Sequence, residues 1–502
     1  MSLPTRIMED HSHAYVLWKE LGLSDGICVH VDAHLDLMDR GFTPEMLAQT
    51  AQVKSAEDLK ECLTPTFLPW GGVHCGNYLY PALVEGLVTH LIWVVPKPMV
   101  ESATSLLDFS FQELPNWMEL TLEEYDSLRA ESGRVEGVLA GQRFTLCTSD
   151  NLPPLEGGPV LLDIDVDYFQ DAQDRIWQTP GALCREMNLQ QVDALTVAVS
   201  VDGGYTCLEH RYLAEVVEQV FIEGCDSHWE DRTRQLVAAD SARRDNPEAY
   251  RELREEEDPP WFRAALALKE QLARGLSVQE ACGPAAEIDS RYQALKLNEA
   301  LCRLRVGKVE EALALTGDSQ ESSFLRAVMA FQGGLFEESK ETWDAFLETT
   351  DLQPKERAFA LSLRGQAKLQ IESPESALAD LLEASRLDPD NYQYALYSGL
   401  ALQLTGELKK AAKVWRKTLS RHGDRLTSIG LHLELSRLYR AMGRPALADA
   451  ELKRVAQKDK RGDYKMVIQL EHLRSGKPAS NLPKPQLTGI WALPMAGGGL
   501  HQ

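Results

Sequence analysis

The sequence predicts an α/β domain with a mainly parallel sheet, followed by an all-α domain of helical repeats. Two patterns carry this prediction. Apolar runs alternate with amphipathic segments over residues 1–225, and a repeating helical pattern occupies 285–470. Alternation of strands with helices is typical of a parallel sheet. At 502 residues the chain is also too long for a single hydrophobic core.

The strands of the first domain are predicted from short apolar runs, which lie at 27–32, 91–95, 143–147, 160–166 and 195–201. Helices are predicted between these runs, for example at 11–21, 76–89 and 208–222. In open parallel sheets, ligands bind beyond the carboxyl ends of the strands. Polar side chains that follow these runs are therefore the first candidates for a functional site.

Two acidic clusters follow apolar runs in this way. His30-Val31-Asp32-Ala33-His34-Leu35-Asp36 follows the first run, and Asp163-Ile164-Asp165-Val166-Asp167 ends the fourth. Buried negative charge is costly without a counter-charge, and neither cluster contains Lys or Arg. Oxygen ligands combined with imidazole suit Mn²⁺ or Fe²⁺. We expect residues 32, 34 and 36 to alternate along a strand and its exit, and so to point to one side together with 165 and 167.

The segment 226–284 is charge-rich and is predicted to be a helical connector. Beyond it, one set of residues recurs 34 positions later: Gly365, Ala377, Leu381 and Ala384 correspond to Gly399, Ala411, Trp415 and Thr418. A further unit carries Gly443 and Ala448, and weaker units centre on Gly307 and Gly334. Small residues that face large ones at this period indicate tetratricopeptide repeats, whose concave face usually binds peptides.

The composition of the chain indicates which classes of binding partner and which cellular compartment to expect. A net charge of −24 disfavours nucleic acid and anionic membranes and favours a cationic partner. The most apolar stretch, 87–95, is too short to span a bilayer. Nine cysteines without a C-x-x-C pair predict reduced thiols and a cytoplasmic protein. The Pro- and Gly-rich tail, 471–502, is predicted to be extended or disordered.

Four ordered motifs suggest a family. They are Glu9-Asp10-His11, His30-x-Asp32-x-His34-x-Asp36, His74-x-Gly76-Asn77 and Asp163-x-Asp165-x-Asp167-Tyr168-Phe169. Over roughly residues 5–215 this set resembles the arginase (ureohydrolase) superfamily, and in particular its branch that includes peptide arginases. The resemblance implies an arginase-like three-layer domain. It also implies hydrolysis of the guanidinium of a peptide or protein arginine to ornithine and urea.

Carried over to this sequence, the resemblance implies two manganese ions. One ion would be held by His11, Asp32, Asp36 and Asp165, and the other by His34, Asp32, Asp165 and Asp167, with Asp32 and Asp165 shared. Two metals about 3.5–4 Å apart lower the pKa of water enough to supply a nucleophile. His74 is the candidate proton shuttle for the leaving amine.

Several assignments have alternatives. His13 could be the ligand in place of His11, and Asp163 with Asp165 could replace Asp165 with Asp167. His30 and Asp163 are expected to support the ligands. A thiol nucleophile at Cys75 is a further alternative.

The sequence also departs from the family pattern. No glutamate aligns with the one that holds the guanidinium in arginases, so Asp202, Glu209 and Glu9 are weak candidates for that role. The stretch between Asp36 and His74 lacks the residues that enzymes of free arginine use, which favours a peptide substrate docked on the repeats. A single-zinc deacetylase and a non-catalytic scaffold are the competing functions.

Overall fold

The computed structural model describes residues 3–39, 42–60, 62, 72–101, 103–243, 245–293, 296–305, 307–316 and 320–474. These residues form two compact units. The first contains residues up to 118 together with 128–316, and the second contains 119–127 together with 317–474. Residues 475–502 of the predicted tail lie outside the described residues, whereas 471–474 belong to the end of a helix.

The first unit is built on an eight-stranded sheet. In chain order its strands are β1 (Thr5–Met8), β2 (Gly26–Val31), β3 (Val88–Val94), β4 (Arg129–Glu131), β5 (Arg134–Leu139), β6 (Gln142–Cys147), β7 (Val160–Asp165) and β8 (Ala194–Ala198). Their order across the sheet is β1-β8-β7-β2-β3-β6-β5-β4. The strands from β1 to β6 in that order pair in parallel, and β5 and β4 extend the edge as antiparallel strands.

The helices of the first unit are His13–Glu20, Pro44–Thr50, Ala56–Lys60, Leu79–Val84, Lys97–Val100, Leu106–Trp117, Pro180–Met187, Leu213–Glu223, His228–Arg243, Pro247–Glu252, Pro260–Ala273, Val278–Ile288, Lys296–Arg305 and Val309–Leu315. Every residue of β2, β7 and β8 is buried. Because side chains of a strand alternate between its two faces, both faces of the central sheet are covered. The predicted α/β fold with a mainly parallel sheet is confirmed.

The predicted connector contributes to the core of this unit. Leu236, Tyr250 and Phe262 from the segment 226–284 lie in the same apolar cluster as Val197 of β8 and Val217 of the helix Leu213–Glu223. The segment therefore packs on the sheet domain through apolar side chains. Some of its charged residues are buried as well, and Arg232 pairs there with Asp258 at 2.9 Å.

Some predicted boundaries were wrong. The predicted helix 76–89 is only Leu79–Val84, since β3 already begins at Val88. The region 208–222 divides into a short 3₁₀ turn, Leu208–His210, and the helix Leu213–Glu223. The prediction also missed β1 and the β4–β5 hairpin, whose exposed and half-buried residues form no apolar run.

The second unit consists of paired helices, which are Leu122–Ser127, Gln320–Gln332, Phe336–Thr349, Pro354–Ile371, Pro374–Leu387, Tyr392–Leu404, Leu408–His422, Thr427–Ala441, Pro445–Lys458 and Lys465–Arg474. The period of 34 residues has a direct steric cause. A Cβ on Gly365 would lie 2.7 Å from Leu381 Cγ, and one on Gly399 would overlap the indole nitrogen of Trp415. Each glycine thus admits a large side chain from the following helix, and the region is tetratricopeptide-like.

Gly443 has a different role from the one predicted. It lies in the turn between two paired helices with φ +69°, as Gly334 does at +74° and Gly406 at +80°. These positions need the left-handed backbone that glycine adopts without strain. Gly443 is therefore equivalent to Gly406, 37 positions earlier, as Ala448 is to Ala411, so this unit is three residues longer than the 34-residue period.

Residues 119–127 belong to the second unit although they interrupt the first in sequence. The Leu122 N–H donates to the Asp424 carbonyl at 2.7 Å, and the Leu426 N–H donates to the Leu120 carbonyl at 2.8 Å. The Tyr125 hydroxyl donates to Asp463 at 2.7 Å. We call residues 119–127 the returning segment.

The prediction that all cysteines are reduced was wrong for one pair. Cys184 and Cys225 form a disulfide, with Cα atoms 5.5 Å apart. The helix Pro180–Met187 packs against Leu213–Glu223, and Arg185 donates to the Cys225 carbonyl at 2.9 Å. The two cysteines are 41 residues apart in sequence, so no short cysteine motif predicted their disulfide. Among the described residues, no helix combines the length and apolarity that crossing a bilayer requires.

Candidate metal centre

The two acidic clusters meet at the centre of the sheet. β2 and β7 are parallel neighbours, and their register pairs His30 with Asp163. The strand order reverses beside β2, since β3 lies on one side of it and β7 on the other. Ligand sites of open α/β sheets form beyond the carboxyl ends of strands at such a point. Both clusters therefore belong to one site.

The residues of the first cluster were predicted to continue the strand, but they lie in a loop. β2 ends at Val31, so Asp32, His34 and Asp36 lie in the loop that follows, not on a continuing strand. Asp36 has φ +52°, in the left-handed region. The loop turns all three side chains toward the carboxyl end of β7. Their common direction therefore comes from the loop and not from the alternation of side chains along a strand.

His11 lies at the centre of the buried group. Its Nε2 is 3.0 Å from Asp163 Oδ1. Its Nδ1 is 3.1 Å from Asp36 Oδ2, 3.3 Å from Asp32 Oδ2 and 3.4 Å from Asp165 Oδ2. The alternative ligand His13 begins the first helix instead, and its Nδ1 lies 3.2 Å from the carbonyl of Asp10.

His34 forms the second half of the group. Its Nδ1 lies 2.7 Å from Asp167 Oδ2 and 3.4 Å from Asp32 Oδ1. The Asp32 Oδ1 also accepts the backbone N–H of His34 at 2.6 Å, which fixes the loop. Asp167 lies in the 3₁₀ turn Val166–Phe169, and its N–H donates to Asp165 Oδ1 at 3.1 Å.

Three buried atoms of the group have surroundings that would suit a cation. Among the described residues, His11 Nδ1, Asp32 Oδ2 and Asp167 Oδ2 have no hydrogen-bond partner, although ligand-type atoms crowd around them. Buried polar atoms are almost always hydrogen-bonded unless they bind an ion or a ligand. Two ligand groups, His11 with Asp32 and Asp165, and His34 with Asp32 and Asp167, share Asp32. The arrangement is consistent with a binuclear metal site.

The charges of the group agree with this interpretation. Burial and the Asp32 carboxylate raise the pKa of Asp36 to about 7. Burial and Asp167 raise the pKa of Asp165, while burial and Asp32 raise the pKa of Asp167. Carboxylates so crowded resist ionisation unless positive charge is supplied. A divalent cation supplies it.

Asp163 and His30 hold the ligands in place. Asp163 accepts hydrogen bonds from Tyr78 and Thr196, both at 2.5 Å, besides its contacts with the two histidines. Nδ1 of His30 lies 3.0 Å from Asp163 Oδ2, and Nε2 lies 3.1 Å from the His34 carbonyl. His30 therefore contacts an acceptor through each ring nitrogen, although it also belongs to two of the groups that could hold a metal, His11–His30–Asp163 and His30–Asp32–Asp36. The four donors around Asp163 favour Asp165 with Asp167 as the ligand pair.

His74 is held in a buried loop. Its Nδ1 accepts the N–H of Gly76 at 3.1 Å, and its own N–H donates to Asn77 Oδ1 at 2.8 Å. Burial lowers the pKa of His74 to about 4. The ring is therefore neutral at pH 7 and carries its proton on Nε2. Burial raises the pKa of the neighbouring Cys75 thiol well above its ordinary value, which argues against a thiolate nucleophile. Trp70 and Gly71, which precede this loop in the sequence, lie outside the described residues.

The three weak candidates for guanidinium binding have different surroundings. Glu9 accepts the N–H groups of Val201 and Asp202 and pairs with Arg211 at 2.7 Å, so its carboxylate is structural. Glu209 lies 3.4 Å from the buried amine of Lys269 and lines a separate cavity of about 580 Å³. Asp202 is exposed, and its side chain has no hydrogen-bond or ion-pair partner in the described part of the chain.

Several residues that position the site were given no role from the sequence, although the segment Ser200–Tyr205 was noted there as a polar stretch after the fifth predicted strand. The Ser200 hydroxyl donates to Asp165 Oδ2 at 2.5 Å, and Tyr78 and Thr196 anchor Asp163. Ser200 follows β8 closely, so the rule that sites lie at strand carboxyl ends could have found it. Nothing in the sequence marked Tyr78 or Thr196.

Comparisons with known proteins inform only the helical region. No protein family model and no curated protein matches this sequence. Among solved structures, the chain is similar to MamA from Desulfovibrio magneticus RS-1, with 19% identity over 34% of this chain and 95% of that one and a TM-score of 0.30. It is also similar to YrrB, described as a tetratricopeptide-repeat protein with an unusual peptide-binding site, with 16% identity, coverage of 39% and 99%, and a TM-score of 0.31. A third is a thermophilic tetratricopeptide-repeat protein of Thermus thermophilus, with 21% identity, coverage of 36% and 97%, and a TM-score of 0.27.

Proposed function

We propose that this protein is a binuclear-metal hydrolase of the ureohydrolase type, which converts arginine in a peptide or protein to ornithine and releases urea. One observation carries the proposal: two ligand groups share Asp32, and His11 Nδ1, Asp32 Oδ2 and Asp167 Oδ2 in them are buried without a hydrogen bond among the described residues. His11, Asp32, Asp36 and Asp165 would hold one ion, and His34, Asp32, Asp165 and Asp167 the other. Manganese suits this oxygen-rich set, and Fe²⁺ is the next candidate.

When bound close together, two such ions supply a water of lowered pKa and thus a nucleophile at neutral pH. The protein then has to protonate the amine that leaves the guanidinium carbon. His74 suits this role as a relay: its neutral ring carries a proton on Nε2 while Nδ1 is fixed by the N–H of Gly76, and the proton that it passes to the amine is replaced by the one that the attacking water loses. The hydrogen bond to Nδ1 keeps the ring in this tautomer and in one orientation.

The substrate class follows from charge and architecture. Asp202 offers an exposed carboxylate in the loop after β8, two residues beyond the Ser200 that contacts Asp165. We assign it, in preference to Glu9 and Glu209, to hold the cationic guanidinium. A net charge of −24 favours encounter with a cationic peptide. Docking on the tetratricopeptide-like unit would raise the local concentration of that peptide.

Metal content and urea release test this proposal. The purified protein, loaded with Mn²⁺, should carry two ions per chain by elemental mass spectrometry. It should also release urea from an arginine peptide but not from the same peptide with lysine. Asp32→Ala should lose both ions and the activity, whereas Asp351→Ala, a change at an exposed aspartate of the second unit, should keep both.

Other outcomes point to the competing functions. One bound zinc would favour the deacetylase-like function, and no bound metal after loading would favour a scaffold. Full turnover by Asp32→Ala would refute the two-metal site.

A further inference from the structure

The loop that follows β8 is fixed to the metal centre at its start. Ser200, with φ +53°, donates its hydroxyl hydrogen bond to Asp165 Oδ2 at 2.5 Å. The next two N–H groups, of Val201 and Asp202, donate to the Glu9 carboxylate at 2.8 and 2.9 Å. Glu9 is in turn held by Arg211. The loop is thus tied both to a candidate ligand and to the segment that carries His11.

Two glycines then place Tyr205. The Tyr205 N–H donates to the Ser200 carbonyl at 3.2 Å, which closes the loop. A Cβ on Gly203 would lie 2.7 Å from the Tyr205 ring, so the ring packs directly on that backbone. Gly204 has φ +76°, and a Cβ there would overlap the Cβ of Leu301. Neither position admits a larger residue without moving the tyrosine or its support.

The Tyr205 ring faces the metal centre. It meets the ring of His34 edge to face, with centroids 5.0 Å apart and an interplanar angle of 73°. Trp117 contacts the same imidazole at 5.4 Å and 68°. Burial, and after it the neighbouring Cys75 next to His74, raise the pKa of Tyr205 well above its ordinary value. A phenol is therefore fixed between a candidate ligand and the loop of the proposed proton donor.

A thiol is a weak hydrogen-bonding partner, whereas a phenol hydroxyl is a good donor. A donor in a fixed, largely buried position costs no reorganisation when a polar group of the substrate approaches it. Two rings beside His34 carry a donor in the described part of the chain, the Tyr205 hydroxyl and the Trp117 indole N–H, which has no hydrogen-bond partner there. Tyr205 is the one whose loop is fixed to the candidate ligand Asp165.

We propose that Tyr205 is a further catalytic residue, whose hydroxyl donates a hydrogen bond to the tetrahedral group that forms at the guanidinium carbon. The inference rests on the proposed ureohydrolase function. Tyr205 keeps its proton throughout. The C–N bond to the leaving amine breaks, and the proton that this amine takes up comes from His74. The hydrogen bond strengthens as electron density builds on the tetrahedral group, so it lowers the barrier more than it strengthens substrate binding.

Tyr205→Phe tests the proposal because it removes the hydroxyl and keeps the ring that packs on Gly203 and His34. We expect kcat on the arginine peptide to fall about 100-fold, the effect typical of losing one such donor. KM should change less than about threefold, and Mn²⁺ content should match the unaltered protein. The matched control is Tyr250→Phe, which loses a hydroxyl that donates to Asp240 at 2.9 Å in another part of the unit.

A second measurement does not depend on turnover. Borate presents tetrahedral oxygens, and its binding to the Co²⁺-loaded protein can be followed in the visible spectrum. We expect Tyr205→Phe to weaken borate binding at least tenfold and Tyr250→Phe to leave it unchanged. Equal kcat and equal borate affinity in Tyr205→Phe and the unaltered protein would overturn the role of Tyr205. Absence of urea release by the unaltered protein would refute the ureohydrolase function instead, and the borate result would then decide the role of Tyr205 alone.

Discussion

The hydrogen bonds around Asp163 make Asp163→Asn the most informative single change in the metal centre. The carboxylate accepts from His11 Nε2, His30 Nδ1, the Tyr78 hydroxyl and the Thr196 hydroxyl. An asparagine of the same shape can accept through one oxygen only, while its NH₂ group faces donors. At least two of the four hydrogen bonds should therefore be lost.

The number of lost hydrogen bonds sets the expected loss of stability. A hydrogen bond to a charged group contributes about 1.5–3 kcal/mol, so the free energy of unfolding should fall by about 3–6 kcal/mol. Metal affinity should also fall, because Asp163 orients His11 so that its Nδ1 faces Asp32 and Asp165. Removing a carboxylate that supports a metal-binding histidine typically costs about 10–100-fold in affinity.

The assay is Mn²⁺ binding by isothermal titration calorimetry, at a temperature where urea unfolding shows the variant to be folded. Asp193→Asn is the matched control. Asp193 accepts the Val160 N–H at 2.8 Å at the opposite end of β7, so its loss should change stability slightly and leave metal affinity intact. Unchanged Mn²⁺ affinity in Asp163→Asn, or an equal loss in both variants, would refute the reasoning.

Three further predictions concern stability. Gly399→Ala places a Cβ against the indole nitrogen and should lower the free energy of urea unfolding by about 1–3 kcal/mol. Gly283→Ala, in a helix with open space around it, should raise that free energy by up to about 1 kcal/mol, and the reverse order would contradict the packing argument. Replacing Cys184 and Cys225 by serine opens a loop of 41 residues and should lower the free energy of unfolding by about 4 kcal/mol through loop entropy. The melting temperature should therefore fall, and an unchanged melting temperature would contradict this prediction. Burial lowers the pKa of His90 from 6.5 to about 4, so the unfolded chain binds the extra proton in that range and stability should fall as pH falls from 6.5 to 4. His90→Gln should flatten this part of the urea-unfolding pH profile, and an unaltered profile would show that the titration lies elsewhere.

The repeat region was predictable because its cause is local and periodic. Gly365 faces Leu381, and Gly399 faces Trp415. The 34-residue interval between the two glycines therefore reflects the same close crossing of paired helices in successive repeats. The turn glycines have a different cause, a positive φ, and the sequence does not distinguish the two kinds. Gly443 was misassigned for this reason.

The metal centre was predictable in composition but not in geometry. Charged residues after buried runs indicate a site at strand ends, and the structure brings both clusters together there. The contacts of Glu9 with Val201 and Asp202 depend on the parallel pairing of β1 with β8, which joins residues far apart in sequence. No short-range pattern records such a pairing. For that loop the sequence offered two signals, the position of Ser200 just after β8 and the glycine pair before Tyr205.

The returning segment bears on how such a protein could have arisen and how it can be divided. Within the described residues the polypeptide passes from one unit to the other three times, at residues 118–119, at 127–128 and between 316 and 320. Leu122 packs with the apolar cluster of Ile429 and Leu452, so a truncation after residue 316 would strip that side chain of its covering. An exchange of the repeats alone would therefore have to match all three junctions, since a splice at one of them leaves the other two unmatched. Genetic exchange between relatives should preserve the two halves together.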